Sequence, residues 1–286
     1  MKKILVPIDF SPNSKNALRI AAEIARTYNA SLELLHTNVA AAYAVPLSEY
    51  VSPSQYAEDE EYDETAMGLL ERVKKELLKD PANASLKVDT RVEEGYLFSC
   101  VRNVAEEDGV DLVVMGTKGA SGVSEFLVGS NTEKVIRVAP CPVLAVPEHT
   151  KTFSLKTVLL PSTLKDDQKG IFRYIGEWQK TFGCNVKVLY LNNPSGLPTD
   201  GSAEARKNRM AEAAGLAKTE VIMSMGSFFE DSTILSVADQ YDVDMIAMAT
   251  HQRHGLSHLL FGSITEDTVN HSDIPVLAVP VTWMKN

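Results

Sequence analysis

Residues 115–147 lie on residues 248–280 without a gap, and 15 of those 33 positions are identical. Unrelated segments share roughly one position in fifteen on average amino-acid usage, so the chain carries an internal duplication. The identities include Gly122/Gly255, Ser124/Ser257, Gly129/Gly262, Ser130/Ser263 and Glu133/Glu266, and both copies close on Pro-Val-Leu-Ala-Val-Pro. A fold is acceptable for this chain only if it can be built twice. At roughly 100–200 residues per domain, 286 residues leave room for two copies of ordinary size.

The period of the hydrophobic pattern says what each copy is. Ile4-Leu5-Val6-Pro7-Ile8 is a short apolar run of the kind a strand buried on both faces shows. After Asp9-Phe10-Ser11-Pro12, Ala17, Ile20, Ala21, Ile24 and Ala25 share one face of a helix over 14–28. Leu32–His36 is a second strand, so strand, helix and strand form a βαβ unit, which implies a right-handed crossover and a parallel sheet. Beyond an irregular stretch, the acidic run from Glu58 to Glu64 is expected to be the solvated start of a helix through Leu69, Leu70, Val73, Leu77 and Leu78. Strands are expected at 86–92, 111–115 and 143–146, with helices over 98–107 and 130–138. The order then repeats, with strands at 158–161, 186–190, 219–223, 244–249 and 276–279 and helices at 170–181, 203–216, 232–240 and 263–271. Such alternation predicts an α/β fold of two tandem domains, each an open five-stranded parallel sheet flanked by helices, Rossmann-like in layout. The boundaries it suggests are 1–147 and 156–286, with a polar linker over 148–155.

Between the strand at 111–115 and the helix at 130 runs a loop punctuated by Gly116, Gly119 and Gly129. Glycine lets backbone approach a ligand without a Cβ in the way, and Ser130 with Glu133 has the spacing of a capping box at a helix start. Free amide groups and the positive helix end suit a phosphate. A plain flexible connection has the same composition, and both readings stand on the residues alone. The loop is not a Walker loop, because no Gly-Lys-Ser/Thr follows the glycines. Nor is it a dinucleotide fingerprint, since it follows the fourth strand instead of the first.

Charge narrows the partners. A net charge of −10 argues against nucleic acid. No apolar stretch has the length of a signal peptide or membrane span, so the expected location is cytoplasmic. Cys100, Cys141 and Cys184 are too far apart for a metal motif or a disulfide framework, and are expected as reduced, buried thiols.

Gly116-x2-Gly119-x9-Gly129-Ser130 has the spacing of the nucleotide-binding loop of universal stress proteins. The opening Ile4–Ser11 resembles their first strand, Leu34-Leu35-His36-Thr37 their second, and Pro140–Val146 their closing strand. The resemblance spans essentially the whole chain as two family domains in tandem. It implies an adenine-nucleotide α-hydrolase-like fold and a stress-response protein that binds ATP, ADP or AMP, with Mg2+ as a possible companion. By the same resemblance Asp9 would face ribose or adenine beside Pro7, and the Thr37 backbone would bond the adenine edge. Met115, Gly116 and Thr117 would lie along the nucleotide, with Gly119 admitting the phosphates and Gly129, Ser130 and Asn131 binding them. Lys118 could screen phosphate charge or stand exposed.

The second half departs from that pattern. Thr163 stands for Asp9, Ala249 for Gly116 and Gln252 for Gly119, so nucleotide is expected in the first half and weakly or not at all in the second. His251, His254 and His258 could gather around a metal if their loop curled, or be exposed loop histidines. His36 is expected as a packed strand-end residue instead of a base. Asp9 is the sole carboxylate in the loop set, so at most slow hydrolysis is expected. The open alternatives are a nucleotide-responsive regulator acting through partners, a weak ATPase and a scaffold with a vestigial loop. Family domains usually pair through the fifth strand, which predicts that 143–146 meets 276–279 within the chain, with a further homodimer possible.

Overall fold

The computed structural model describes residues 1–38, 65–117, 130–164, 168–190, 201–223, 231–250 and 261–283. In the first half β1 (Lys3–Pro7) leads to α1 (Pro12–Tyr28), β2 (Ser31–Asn38), α2 (Ala66–Leu78), β3 (Val88–Glu94) and α3 (Leu97–Asp108). It closes with β4 (Leu112–Gly116), α4 (Ser130–Val138) and β5 (Val143–Val146). The second half repeats the order: β6 (Thr157–Ser162), α5 (Lys169–Phe182), β7 (Asn185–Tyr190), α6 (Gly201–Ala214), β8 (Thr219–Met223) and α7 (Asp231–Gln240). Then come β9 (Met245–Thr250), α8 (Phe261–His271) and β10 (Val276–Pro280). Three backbone landmarks fix the correspondence of the two β–α–β openings at 154 residues. Phe10 and Leu164 both have positive φ (64° and 55°), Asn29 and Gly183 both end a helix in the left-handed conformation, and Lys3↔Ser31 is mirrored by Thr157↔Asn185.

The strands form one sheet in the order β3-β2-β1-β4-β5-β10-β9-β6-β7-β8. Every pairing is parallel except β5 with β10, where Leu144 faces Leu277 in antiparallel register. Because successive strand residues point to opposite faces, Ile4 and Val6 enter a core with α1, α2, α5 and α6. Leu5 enters the other core, with α3, α4, α7 and α8. Each core runs unbroken from one half into the other.

Ends are set by local chemistry. Ser11 caps α1, its hydroxyl accepting from the Ser14 N–H, and Pro12 takes the first turn, where its missing N–H costs nothing. α2 starts at Ala66 under the Thr65 cap with no acid in its first turn. The acidic run 58–64 lies outside the described residues. β3 is displaced by two residues from its expected span; it is an outermost strand, half-buried along most of its length. A single 3-10 turn, Pro81–Asn83, capped by Asp80, was not expected. No described helix is long and apolar enough to cross a membrane.

One arginine ties the two halves on the second face. Arg137 on α4 reaches Glu133 one turn earlier and grips Glu266 on α8 with Nε and Nη2, both at 2.5 Å. Glu133 and Glu266 occupy the same place in the two copies. The carboxylate expected to cap its own helix therefore engages the seam.

Candidate functional site

β1 turns the sheet's direction of growth: β2 and β3 are added on one side of it, β4 and β5 on the other. In an open α/β sheet the ligand crevice lies at that switch point, outside the carboxyl ends of the strands. The register opens it. β4 pairs with β1 only at Ile4↔Leu112 and Leu5↔Val113, whereas its remaining residues pair with β5 through Gly116↔Val146. β2 likewise overruns β1, whose last partner is Leu35, so His36, Thr37 and Asn38 pair only with β3. The edge of Thr37 that faces the switch point has no strand beside it.

Asp9, exposed just beyond β1, accepts from the Ser11 N–H (3.1 Å) and the Ser11 hydroxyl (2.6 Å). These bonds close the β1–α1 turn, whose central residue, Phe10, is held at φ 64°. A non-glycine residue there costs about 1–2 kcal/mol, offset by the Phe10 ring on His36 at 4.7 Å between centroids. His36 Nδ1 in turn lies 2.7 Å from the Ile8 carbonyl. The histidine is a packed strand-end residue engaged with backbone.

On the β4 side, Met115 and Thr117 are buried and Gly116 half-buried. Gly116 is closely packed. A Cβ there would stand 3.0 Å from the Asn13 carbonyl oxygen and 3.2 Å from the Asn13 Cβ, so α1's first turn sits directly against the end of β4. The Gly116 carbonyl accepts from the Thr132 hydroxyl at 2.9 Å, which anchors the first turn of α4 to the same strand end. Asn131, beside it, is exposed. Pro7 is buried at the end of β1.

The structure thus places Asp9 just beyond β1, Gly116 and Thr117 at the end of β4 with the start of α4 bonded to it, and Thr37 near the end of β2. Lys118, Gly119 and Gly129 lie outside the described residues, as do His251, His254 and His258, and of Ser130 only the backbone is described. Among the described residues no group of three His, Cys, Asp or Glu side chains could hold a metal ion. Asn13 is the lining residue the sequence did not point to. Its amide oxygen is buried with no hydrogen-bond partner among the described residues, an expensive state for a polar atom unless a ligand or water donates to it. Its place after Ser-Pro in a first helical turn is an ordinary one, and only the distant contact with Gly116 singles it out.

The second half builds the same wedge from other groups. β6 and β9 pair only at Val158↔Met245 and Leu159↔Ile246. Thr163, in the place of Asp9, is buried, and the Gln168 carboxamide oxygen accepts from its N–H (3.0 Å) and from the Ser162 hydroxyl (2.6 Å). A neutral, buried amide closes this turn where the first half leaves an exposed carboxylate.

The family model described as "Universal stress protein family" matches residues 1–147 and again 155–280. Universal stress protein YxiE of Bacillus subtilis is 34% identical over 151 residues, half of this chain and 97% of its own length. Universal stress protein MJ0531 of Methanocaldococcus jannaschii is 33% identical over 150 residues, 52% of this chain and 84% of its own. A universal stress protein of Archaeoglobus fulgidus matches in structure across 98% of both chains, with a TM-score of 0.69 at 17% identity. That likeness extends to the fold.

Proposed function

The chain belongs to the universal stress protein family, and on that footing we propose that its first half binds an adenine nucleotide, ATP before ADP or AMP. The protein acts as a nucleotide-responsive regulator through partners, with hydrolysis at most slow. The observation that carries this is the wedge between β1 and β4, with the first turn of α4 fastened to its rim by the Thr132–Gly116 bond. A helix start so placed offers amide groups and a dipole favourable to phosphate. The unpaired β2 edge at Thr37 offers backbone groups for a base. The buried Asn13 oxygen supplies an acceptor of the kind an amino or hydroxyl group fills. Asp9 would take ribose or adenine, with Pro7 behind it. Met115, Gly116 and Thr117 would follow the nucleotide. Lys118, Gly119, Gly129, Ser130 and Asn131 would hold its phosphates, with Mg2+ if the ligand brings it.

We also propose that 1–147 and 156–286 act as two domains whose β5–β10 seam persists in solution, so that one chain does the work of a dimer. Only the first is a nucleotide domain. Isothermal titration with ATP is expected to give one site per chain, abolished by Gly119→Gln and unaffected by Gln252→Gly. Two equivalent sites, or full binding by Gly119→Gln, would refute this. A turnover assay with Asp9→Ala as control tests the regulator against the weak ATPase, and rapid Asp9-dependent phosphate release would favour the enzyme.

A further inference from the structure

The two copies treat one helix face differently. In the first half the segment after β5 is strapped across α1. Asn16 Nδ2 donates to the Pro147 and Glu148 carbonyls, both at 3.3 Å, and Arg19 Nη2 donates to the Thr150 carbonyl at 2.6 Å. The Phe153 N–H donates to Glu23 Oε2 at 2.9 Å. The strap thereby delivers the Phe153 ring onto Phe182 and Trp178, 5.6 and 6.0 Å between centroids. The stretch expected as a linker runs along α1, held at a carbonyl by an arginine and at an N–H three residues on by a glutamate.

The 154-residue correspondence puts Arg173 in the place of Arg19 and Glu177 in the place of Glu23. Neither is in an ion pair among the described residues. Instead they line a cavity of about 360 Å3, together with Tyr28, Tyr174, Trp178 and Trp283. Ligand pockets span roughly 300–1,000 Å3, with apolar walls and a few polar groups. Three polar atoms of this wall are buried without a hydrogen bond among the described residues: the Tyr28 hydroxyl, the Tyr174 hydroxyl and the Trp178 indole N–H. Trp178 is only 1% exposed. None of the residues of the candidate nucleotide site lines the cavity.

We propose that this cavity binds a short peptide bearing an aromatic side chain, with Arg173 holding a backbone carbonyl and Glu177 a backbone N–H. The strap on α1 shows the same pair of residues performing this task. The image of Phe153's seat on Phe182 is a seat on Tyr28, since those two positions also correspond. In the second half, among the described residues, the helix face leaves its arginine and glutamate to an outside peptide, where in the first half they hold the chain's own.

The chain has two tryptophans, and both line this cavity, so selectively excited tryptophan emission reports on it. The probe is the strap itself as a free peptide, acetyl-His-Thr-Lys-Thr-Phe-amide, titrated into the full chain. A saturable change in emission is expected, weakened about tenfold or more by replacing the probe's phenylalanine with alanine. Arg173→Ala is expected to weaken it by a similar factor, as loss of a charge-assisted hydrogen bond does, with the melting temperature unchanged. Arg19→Ala should do the opposite, keeping probe affinity and lowering the melting temperature. No saturable change at millimolar probe, equal binding of the two probes, or binding indifferent to Arg173→Ala would each overturn the proposal. None of these outcomes bears on nucleotide binding.

Discussion

Gly116→Ala tests whether this glycine serves the fold or the ligand. The added Cβ would stand 3.0, 3.1 and 3.2 Å from the carbonyl oxygen, carbonyl carbon and Cβ of Asn13. Two of those atoms are backbone in the first turn of α1, which the Ser11 cap and the Asp9 turn hold in place. They cannot swing aside as a side-chain tip would. The helix start must retreat by a few tenths of an ångström, pulling at the Thr132–Gly116 bond on the other side of the strand end. Overpacking of this kind costs about 1–3 kcal/mol. Taking about 2 kcal/mol and an unfolding entropy of about 2.1 cal/mol/K per residue over the whole chain, the melting temperature should drop by about 3 °C in calorimetry. Nucleotide affinity should fall along with it, because Asn13 and Asp9 move. A melting temperature within a degree of wild type would refute the packing argument. If affinity were lost at that unchanged stability, Gly116 would be there for the ligand. The converse change, Ala249→Gly, should create no nucleotide site, since Thr163 and Gln168 still close the β6 turn.

Arg137→Ala leaves Glu133 and Glu266 facing each other across the seam and should cost about 1–2 kcal/mol, the lower part of the range for charged hydrogen bonds because the site is part-exposed; urea unfolding at pH 7 measures it. Burial first, and then the neighbouring Glu266 and Asp267, hold the Glu133 carboxyl above its usual range against the pull of Arg137. The folded state therefore keeps that proton longer than the unfolded chain, so this group's contribution to stability declines as pH rises from the ordinary carboxylate value through the raised one. Glu133→Gln should flatten that slope, and an unchanged pH profile would count against it. Burial pushes the Cys141 thiol up to about 12 and raises Cys100 and Cys184 as well, so iodoacetamide should label none of the three at pH 7.5 until denaturant is added. Gly176→Ala puts a Cβ 2.6 Å from the Ala214 carbonyl of α6. The clash should outweigh the helix-propensity gain of about 1 kcal/mol and lower the melting temperature.

Legibility from sequence followed distance along the chain. Strands that are unbroken apolar runs and helices whose apolar residues repeat at period 3.6 declared themselves, because burial selects for apolar side chains locally; β1, α1, β2 and β9 are examples. β3 slipped by two residues because an outermost strand is half-solvated and its alternation is weak. The Asp80-Pro81 turn carried a usable signal, a capping acid followed by proline, but one too short for a periodicity scan. The site divided similarly. Asp9, Gly116 and Thr117 stood out through their positions at strand ends. Asn13 did not, and the packing of Gly116 against Asn13, 103 residues away in sequence, was equally out of reach. The aromatic cavity between the halves was invisible, since Tyr28, Asp111, Tyr174 and Trp283 meet only after both sheets have formed and joined.

That joining has an order in time. Val143–Val146 is complete long before its partner strand exists, since 130 residues separate Val146 from Val276. At roughly 5–20 residues per second a ribosome needs about 7–26 s to supply them. For that interval the first half presents an unpaired apolar edge, the kind that recruits a neighbour's strand. A chain stopped after residue 150 should accordingly self-associate through β5, and a Lys substitution at Leu144 should suppress it. Tethering both copies in one polypeptide raises the right partner's effective concentration to the millimolar range as soon as it emerges. Carrying both copies in one chain thus acts as a kinetic guard on a vulnerable edge, protecting each newly made molecule from its neighbours on the same message.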